Sequence, residues 1–203
     1  MSQPRNVAIL IFDEVEVLDF CGPFEVFGVT GRSSEDAPFN VYTVAERSAP
    51  VLARNGLSVN PRYTIDDCPP PDLLVIPGGM GARTEMHNAT VIEWIKRCAE
   101  PSELVLSVCT GALLLANAGL LDGLAATTHH GAVDLLREAA PQTEVREGER
   151  FVDNGKVITS AGISAGIDMS LHVVARLLGE DVARDTAERM EYRWQPEDVG
   201  TQG

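Results

Sequence analysis

The chain has 203 residues, of which 44% are hydrophobic and 23% are charged, a composition typical of a globular protein that buries a sizeable core. Its 30 acidic and 16 basic side chains give a net charge of −14, which disfavours binding to nucleic-acid phosphates or to anionic membrane surfaces. Because no apolar run reaches the ~18 residues of a membrane-spanning helix and the N-terminus lacks a signal-peptide pattern, we predict a cytoplasmic protein that binds no nucleic acid and no membrane.

The hydrophobic pattern alternates between strands and helices along the chain. Nearly continuous aliphatic runs predict strands covered on both faces, and apolar residues at helical spacing predict helices. We predict strands at residues 5–12, 39–45, 72–77 and 103–108, and helices at 18–29, 89–99, 111–118, 130–140, 164–178 and 181–190. The pairs Asn55-Gly56, within residues 51–61, and Asn154-Gly155, within residues 151–159, predict two hairpins.

This alternation predicts an α/β fold in which a mostly parallel central sheet carries helices on both faces. Ser164 is expected to cap the start of its helix, and Gly179 to end that helix. The sequence has no repeat and no long linker, so residues 1–203 are expected to form one domain, with a core at about 5–190 and a polar C-terminal tail.

Cys109 occupies the most informative position in the sequence. A buried strand leads directly into it, and Thr110-Gly111 begins the next helix. This pattern is typical of a nucleophile elbow, a sharp strand-to-helix turn that exposes one side chain above the sheet. The free N–H groups at the start of a helix would favour the thiolate. The alternative is a small buried hydrophobic residue, the commonest role of a free cysteine.

The other cysteines, Cys21, Cys68 and Cys98, have no such setting. We expect all four to be free thiols in a reducing compartment. The histidines and cysteines show no metal-ligand spacing and no glycine loop matches a phosphate-binding pattern, so we predict neither a metal nor a cofactor.

Three further segments are candidates for the same site. The backbone N–H groups of Gly79 and Met80, in the glycine-rich turn after a strand, together with that of Thr110, are candidate donors to a developing negative charge. Asp19 has apolar neighbours, which predicts a partly buried carboxyl that keeps its proton or finds a partner, with a helix cap as the alternative. His129 is a candidate base or orienting group, the alternative being a structural or solvent-facing histidine.

The sequence resembles the ThiJ/PfpI superfamily over nearly its whole length. The segments that carry this resemblance are Asp19 after the first strand, IPGG (76–79), SVCTG (107–111), AGLLDG (118–123), ATTHH (126–130) and SAGISAGID (160–168). The resemblance implies a flavodoxin-like three-layer α/β sandwich related to class I glutamine amidotransferases. Within the superfamily, the similar branches are the isonitrile hydratases and the amidotransferase-like domains of AraC-type regulators.

The resemblance also implies roles for particular residues. In the hydratase branch, the residue matching Cys109 is the nucleophile, the one matching Asp19 is an acid beside it, Thr110 contributes to binding and catalysis, and Ile163 lines the site. The intracellular-protease branch has histidine where this chain has Thr110, which weakens a peptidase interpretation. Because the chain ends soon after Met190 and is acidic, we expect it to lack the helix-turn-helix domain of the regulators.

The function implied is hydration of an isonitrile to an N-formamide through a thioimidate on Cys109. Two alternatives stay open: another cysteine-dependent hydrolase or glyoxalase-type activity, and a non-catalytic redox sensor or stress protein whose Cys109 is reversibly oxidised. Members of the superfamily usually form dimers, so we expect a homodimer. The hairpin around Asn55-Gly56 and residues 20–27 are the candidates for its interface and for the wall of the pocket.

Overall fold

The computed structural model of the chain describes residues 3–31 and 37–196. In chain order, the strands are β1 (Arg5–Leu10), β2 (Phe39–Ala45), β3 (Val51–Leu52), β4 (Ser58–Val59), β5 (Tyr63–Thr64), β6 (Leu73–Ile76), β7 (Leu104–Val108), β8 (Ala125–Ala126), β9 (Glu144–Val145), β10 (Phe151–Asp153) and β11 (Val157–Ser160). The α-helices are α1 (Val17–Val29), α2 (Ala82–Glu85), α3 (Ala89–Ala99), α4 (Ala112–Asn117), α5 (Val133–Ala139), α6 (Ala165–Leu178) and α7 (Glu180–Arg189).

A seven-stranded sheet in the order β10-β11-β7-β6-β1-β2-β5 forms the centre of the molecule. Every neighbouring pair in it is parallel except β10 and β11, which form the second predicted hairpin. All residues of β6 and β7 are buried, as continuous aliphatic runs predict. Helices α1, α6 and α7 pack against one another, and α2 to α5 form a second group, which gives the predicted three-layer α/β arrangement.

Most predicted elements are present, with small changes at their ends. The strand predicted at residues 5–12 ends at Leu10, because the chain turns there and Val15 N–H bonds to Phe12 C=O. The helix predicted at 130–140 begins with a 3₁₀ turn, His130–Ala132, and continues as α5. The hairpin between β3 and β4 turns through left-handed Asn55 and Gly56, as predicted.

The capping role predicted for Ser164 is wrong, whereas Gly179 ends α6 as predicted. Ser164 has helical backbone angles, φ −68° and ψ −18°, and makes no capping hydrogen bond. A capping side chain requires an extended backbone to reach the first free N–H groups. The Ser164 hydroxyl instead accepts a hydrogen bond from Arg150 Nη2 at 3.1 Å.

The carboxyl ends of the parallel strands lie side by side and position the functional site. In the sheet, Ile76 at the end of β6 pairs with Ser107, and Ser160 at the end of β11 pairs with Val108. The loops that follow these strands therefore meet at one edge, where α/β proteins usually bind ligands. No helix within residues 3–31 and 37–196 is long and apolar enough to span a membrane.

Candidate active site

The sharp turn after β7 holds Cys109 in a left-handed conformation, with φ 56°. The 3₁₀ turn Cys109–Gly111 follows and leads into α4. A Cβ atom at Gly111 would lie 2.0 Å from the carbonyl oxygen of Ile76, so only glycine allows the turn to pack this close to the end of β6. The geometry is the predicted elbow, and the strained backbone conformation is of the kind that occurs at functional sites.

Hydrogen bonds on both sides fix the backbone of this turn. The Cys109 N–H donates to the Ala161 carbonyl at 3.2 Å, and the Cys109 carbonyl accepts from the Thr128 hydroxyl at 2.8 Å. The Thr110 hydroxyl accepts from the Gly79 N–H at 2.9 Å and lies 3.1 Å from the Gly79 carbonyl, to which it donates. These contacts hold the strained residue between the loops that follow β6, β8 and β11.

The side chain of Asp19, in the first turn of α1, is fully buried against this turn. Its Oδ2 accepts a hydrogen bond from the Gly78 N–H at 3.1 Å, and the Ile163 N–H lies near enough to lower the pKa of the carboxyl slightly without a hydrogen bond of regular geometry. The Cys109 thiol interacts with the same carboxyl, whose Oδ1 is buried without a hydrogen-bond partner of regular geometry. Asp19 therefore belongs to the site, as the sequence suggests, and Glu16 is the N-cap of α1.

Burial raises the pKa of Asp19 to about 7, because the carboxylate loses its hydration; the N–H groups of Gly78 and Ile163 lower it by less. Burial, and then the charge of Asp19, raise the pKa of Cys109 to about 12, although the Thr110 N–H acts in the opposite direction. The N–H group at the helix start therefore acts in favour of the thiolate, as predicted, but burial and Asp19 outweigh it and the net change of the pKa is upward. A helix terminus does not offset the burial of a thiol beside an acid.

The two predicted backbone donors differ in the structure. The Gly79 N–H is already engaged with the Thr110 hydroxyl, so the prediction that it is an open donor is wrong for this conformation. The tight approach of the loop to the turn explains this, since a Cβ atom at Gly78 would lie 2.4 Å from the Thr110 nitrogen. Met80 directly follows the antiparallel bridge between Val15 and Gly79, and within the described residues no contact places its N–H at the Cys109–Asp19 pair; the Met80 side chain is half exposed.

His129 lies beside the site without joining the Cys109–Asp19 pair. Its Nδ1 accepts a hydrogen bond from the Gly131 N–H at 3.0 Å, and its ring packs over Gly162. Burial, and then the neighbouring charge of His130, lower the pKa of His129, which leaves its ring neutral near pH 7. Within the described residues it makes no hydrogen bond to Cys109 or Asp19, so the geometry does not support the predicted role as base or orienting group.

A cavity of about 440 Å³ lies among the loops that hydrogen-bond to the backbone of Cys109, but neither Cys109 nor Asp19 lines it. Its lining comes from three loops and consists of Thr128, His129, His130, Val133, Gly148, Glu149, Arg150, Ala161, Gly162, Ile163 and Ser164. Ile163, another left-handed residue at φ 55°, lies in this lining. Sequence reasoning missed the part played by Thr128 and Ala161, which act through a hydroxyl and a backbone carbonyl that no motif marks.

Arg150 lines the cavity, and its guanidinium charge is paired with Asp168. Its Nε donates to Asp168 Oδ2 at 2.7 Å, and its Nη2 contacts the same oxygen. The Tyr192 hydroxyl donates to the other oxygen, Asp168 Oδ1, at 2.8 Å. No cluster of three or more His, Cys, Asp or Glu residues able to hold a metal occurs in the part of the chain that the structure describes.

Comparisons with known proteins agree with this geometry. The model of the DJ-1/PfpI family matches residues 5–176. An isonitrile hydratase of Pseudomonas putida is 35% identical over 187 residues, which cover 92% of this chain and 78% of that protein. The transcriptional regulator CdhR of Pseudomonas aeruginosa is 32% identical over 89% of this chain, which spans only 53% of the regulator's length.

Solved structures show the same fold. A ThiJ/PfpI family protein from Pseudomonas syringae superposes with a TM-score of 0.85 at 29% identity, covering 98% of this chain and 79% of that one. Drosophila melanogaster DJ-1beta, at 17% identity, superposes with a TM-score of 0.81, and the match covers 95% of this chain and 100% of the DJ-1beta chain. The predicted three-layer α/β fold with a mostly parallel central sheet is confirmed.

Proposed function

The chain belongs to the DJ-1/PfpI family, and we propose that it is a cysteine-dependent enzyme that adds water to an isonitrile and releases an N-formamide. The observation that carries this proposal is the buried pair of Cys109 and Asp19, in which an unpartnered carboxyl oxygen lies beside a thiol. The similarity to the Pseudomonas putida isonitrile hydratase supports the choice of substrate.

The pair suits a neutral substrate whose terminal carbon must receive both a nucleophile and a proton. The step begins from the ionised form of Asp19, which is populated near neutral pH because its pKa is about 7. The thiol proton moves to the Asp19 carboxylate, the sulfur bonds to the isonitrile carbon, and Asp19 delivers the proton to that carbon. The product is a thioimidate, R–N=CH–S, and Asp19 is left ionised. A carboxyl whose pKa is about 7 can accept and release a proton near neutral pH, which is what such a relay requires.

Water then completes the reaction. The ionised Asp19 takes a proton from water while the water oxygen bonds to the thioimidate carbon. The carbon–sulfur bond then breaks. One hydrogen of the water ends on the nitrogen and the other on the sulfur, so the products are R–NH–CHO and the free thiol.

The test is formation of a formamide from an aryl isonitrile, followed by ultraviolet absorbance. Cys109→Ala removes the nucleophile and is expected to abolish turnover, whereas Cys98→Ala, a substitution at a half-buried thiol outside the site, retains it. Full activity in both Cys109→Ala and Asp19→Asn variants would contradict the mechanism. Absence of isonitrile turnover with activity on an amide or a glyoxal would favour the other cysteine-dependent reactions.

The protonated state of Cys109 also bears on the redox-sensor alternative. Oxidation by peroxide proceeds through the thiolate, and a pKa raised to about 12 disfavours that form. A buried thiol that gives up its proton only during a reaction fits catalysis better than sensing. Selective oxidation of Cys109 by mild peroxide, measured by intact mass, in a protein without turnover would reverse this preference.

We also propose that the protein forms a homodimer. Helix α1 exposes Leu18 and Phe24, and the β3–β4 hairpin exposes Leu52 and Leu57. The hairpin and residues 20–27, which include Phe24, are the segments that the sequence suggests for the interface and the pocket wall. Burial of such side chains between two copies would remove apolar surface from water. Light scattering coupled to size-exclusion chromatography tests this: a dimer is expected for the native chain, and a monomer would contradict the proposal.

A further inference from the structure

The peptide group between Cys109 and Thr110 lies at the reacting pair, and a side chain from another loop holds its carbonyl. The Thr128 hydroxyl donates to the Cys109 carbonyl oxygen at 2.8 Å. Cys109 is only 5% exposed and Thr128 only 3%, so bulk water does not compete for this bond. Because buried carbonyls rarely go without a donor, the hydroxyl has a strong influence on the direction of this peptide.

The direction of a carbonyl decides the direction of the N–H group in the same peptide. A trans peptide is planar, and its oxygen and its N–H hydrogen point to opposite sides. Thr128 holds the Cys109 carbonyl on one side, so the Thr110 N–H points to the other. Burial raises the pKa of the Cys109 thiol, and the Thr110 N–H lies near enough to the sulfur to act against that rise. In a nucleophile elbow, the N–H that follows the nucleophile is a donor to developing negative charge.

The backbone of Cys109 needs a constraint of this kind. Its left-handed conformation, φ 56°, is unfavourable for a residue that carries a side chain. Such a conformation persists only where the surrounding contacts hold it in place. The Ala161 carbonyl holds the Cys109 N–H at 3.2 Å, and Thr128 holds the Cys109 carbonyl. Without the hydroxyl, the turn is held at one end only and is free to relax.

Thr128 belongs to a segment that is itself fixed to the central sheet. The N–H of the preceding Thr127 donates to the hydroxyl of Thr159, on β11, at 2.9 Å. The Thr127 hydroxyl donates to the Glu149 carbonyl at 3.3 Å. A threonine side chain also has few rotamers, because it is branched at Cβ. The hydroxyl of Thr128 is therefore in place before any charge develops at the sulfur, as efficient stabilisation of such a charge requires.

We propose that Thr128 is a positioning residue, whose hydroxyl sets the direction of the Cys109–Thr110 peptide and keeps the Thr110 N–H aimed at the sulfur. The N–H stabilises the thiolate that forms when the thiol proton moves to Asp19. It acts again on the sulfur when the carbon–sulfur bond breaks. The use of the thiolate rests on the proposed function, whereas the direction of the peptide does not.

The kinetic test compares two adjacent buried threonines whose hydroxyls both donate to backbone carbonyls. Thr128→Val keeps the shape of the side chain and removes the donor. We expect kcat for isonitrile hydration to fall about 10- to 100-fold with KM nearly unchanged, since a displacement of about 1 Å at a reacting group costs up to about 10²-fold. Thr128→Ser keeps the hydroxyl and should retain most of kcat. Thr127→Val, the matched control, removes the bond to Glu149 and should leave kcat unchanged.

A second arm does not depend on turnover. Crystal structures of the wild-type protein and of Thr128→Val compare the direction of the Cys109–Thr110 peptide, which is expected to rotate when the hydroxyl is absent. Rotation in a protein whose wild type hydrates no isonitrile would support the role of Thr128, and the proposed function alone would fail. Thr128→Ala serves both arms if the valine variant does not fold.

Three results would overturn the role of Thr128. One is an unchanged peptide direction in the variant without the hydroxyl. Another is an active enzyme whose kcat is not reduced by that variant. The third is an equal loss of kcat in Thr127→Val, which would show that the loss follows from any missing hydrogen bond in this segment.

Discussion

Two carboxyl groups, Asp168 and Asp19, lie near the loop of residues 161–164, and their hydrogen-bond partners differ. Asp168 accepts hydrogen bonds from Arg150 and from the Tyr192 hydroxyl, so both of its oxygens are satisfied. Asp19 is fully buried, has no cation beside it, and leaves Oδ1 without a regular partner. Paired carboxylates usually stabilise structure, whereas an unpaired buried carboxyl is retained where chemistry needs its proton. On the proposed function, Asp168 is the structural acid and Asp19 the reactive one.

The largest expected effect is on activity, from Asp19→Asn. The amide keeps the size of the side chain but cannot relay a proton, so kcat/KM for isonitrile hydration should fall by about 10²- to 10⁴-fold. Asp168→Asn, which lies outside the reacting pair, should change kcat/KM far less. Equal losses in the two variants, measured by the formamide assay, would remove the distinction between them.

A second prediction concerns how stability depends on pH. Asp19 has a pKa of about 7 in the folded protein and an ordinary value of about 4 in the unfolded chain. Between these values the folded state binds more protons, so the free energy of unfolding falls as pH rises from about 4 to about 7 and then stays level. The loss is on the order of a few kcal/mol, at about 1.4 kcal/mol per pKa unit.

Urea denaturation at a series of pH values measures this slope. Asp19→Asn should remove the decrease between pH 4 and 7, because its side chain does not titrate. Asp168→Asn should preserve it. The Asp19→Asn profile gives the contribution of all other titrating groups and is subtracted from the wild-type profile. If the remaining stability rises between pH 4 and 7, Asp19 does not keep its proton in the folded protein.

The smallest expected effect is the loss of structural pairing at Asp168. Asp168→Ala removes hydrogen bonds to Arg150 and Tyr192, and hydrogen bonds to charged groups contribute about 1.5–3 kcal/mol when buried. Because Arg150 is about a third exposed, solvent reduces this contribution, and we expect a destabilisation of about 1 kcal/mol. Urea midpoints of the variant and wild type measure it. An unchanged urea midpoint, or a loss of kcat/KM as large as that of Asp19→Asn, would contradict the assignment of roles.

The sequence allowed the elbow at Cys109 to be predicted, because a buried strand followed by Cys-Thr-Gly and a helix constrains the backbone locally. The long helices and the two hairpins follow from the same kind of local pattern. The elements missed, α2, β5, β8 and β9, have only two to four residues each and show no periodicity. Their positions depend on packing against the rest of the molecule.

The electrostatic state of the site could not be predicted in the same way. The pKa of Cys109 depends on its burial and on the proximity of Asp19, which is ninety residues away in sequence. The engagement of the Gly79 N–H depends on the direction of the Thr110 hydroxyl, and the binding of His129 Nδ1 to Gly131 depends on a 3₁₀ turn. Each of these outcomes is decided by tertiary contacts between loops.

Ile163 touches the reactive acid through its main chain and lines the cavity with its side chain. The main chain and the side chain of Ile163 therefore have separate roles. Any residue that retains an N–H group and tolerates φ 55° would keep that group beside Asp19 while presenting a different side chain to the cavity. On the proposed function, a substitution of the Ile163 side chain would change the surface of the cavity and leave Cys109 and Asp19 in place.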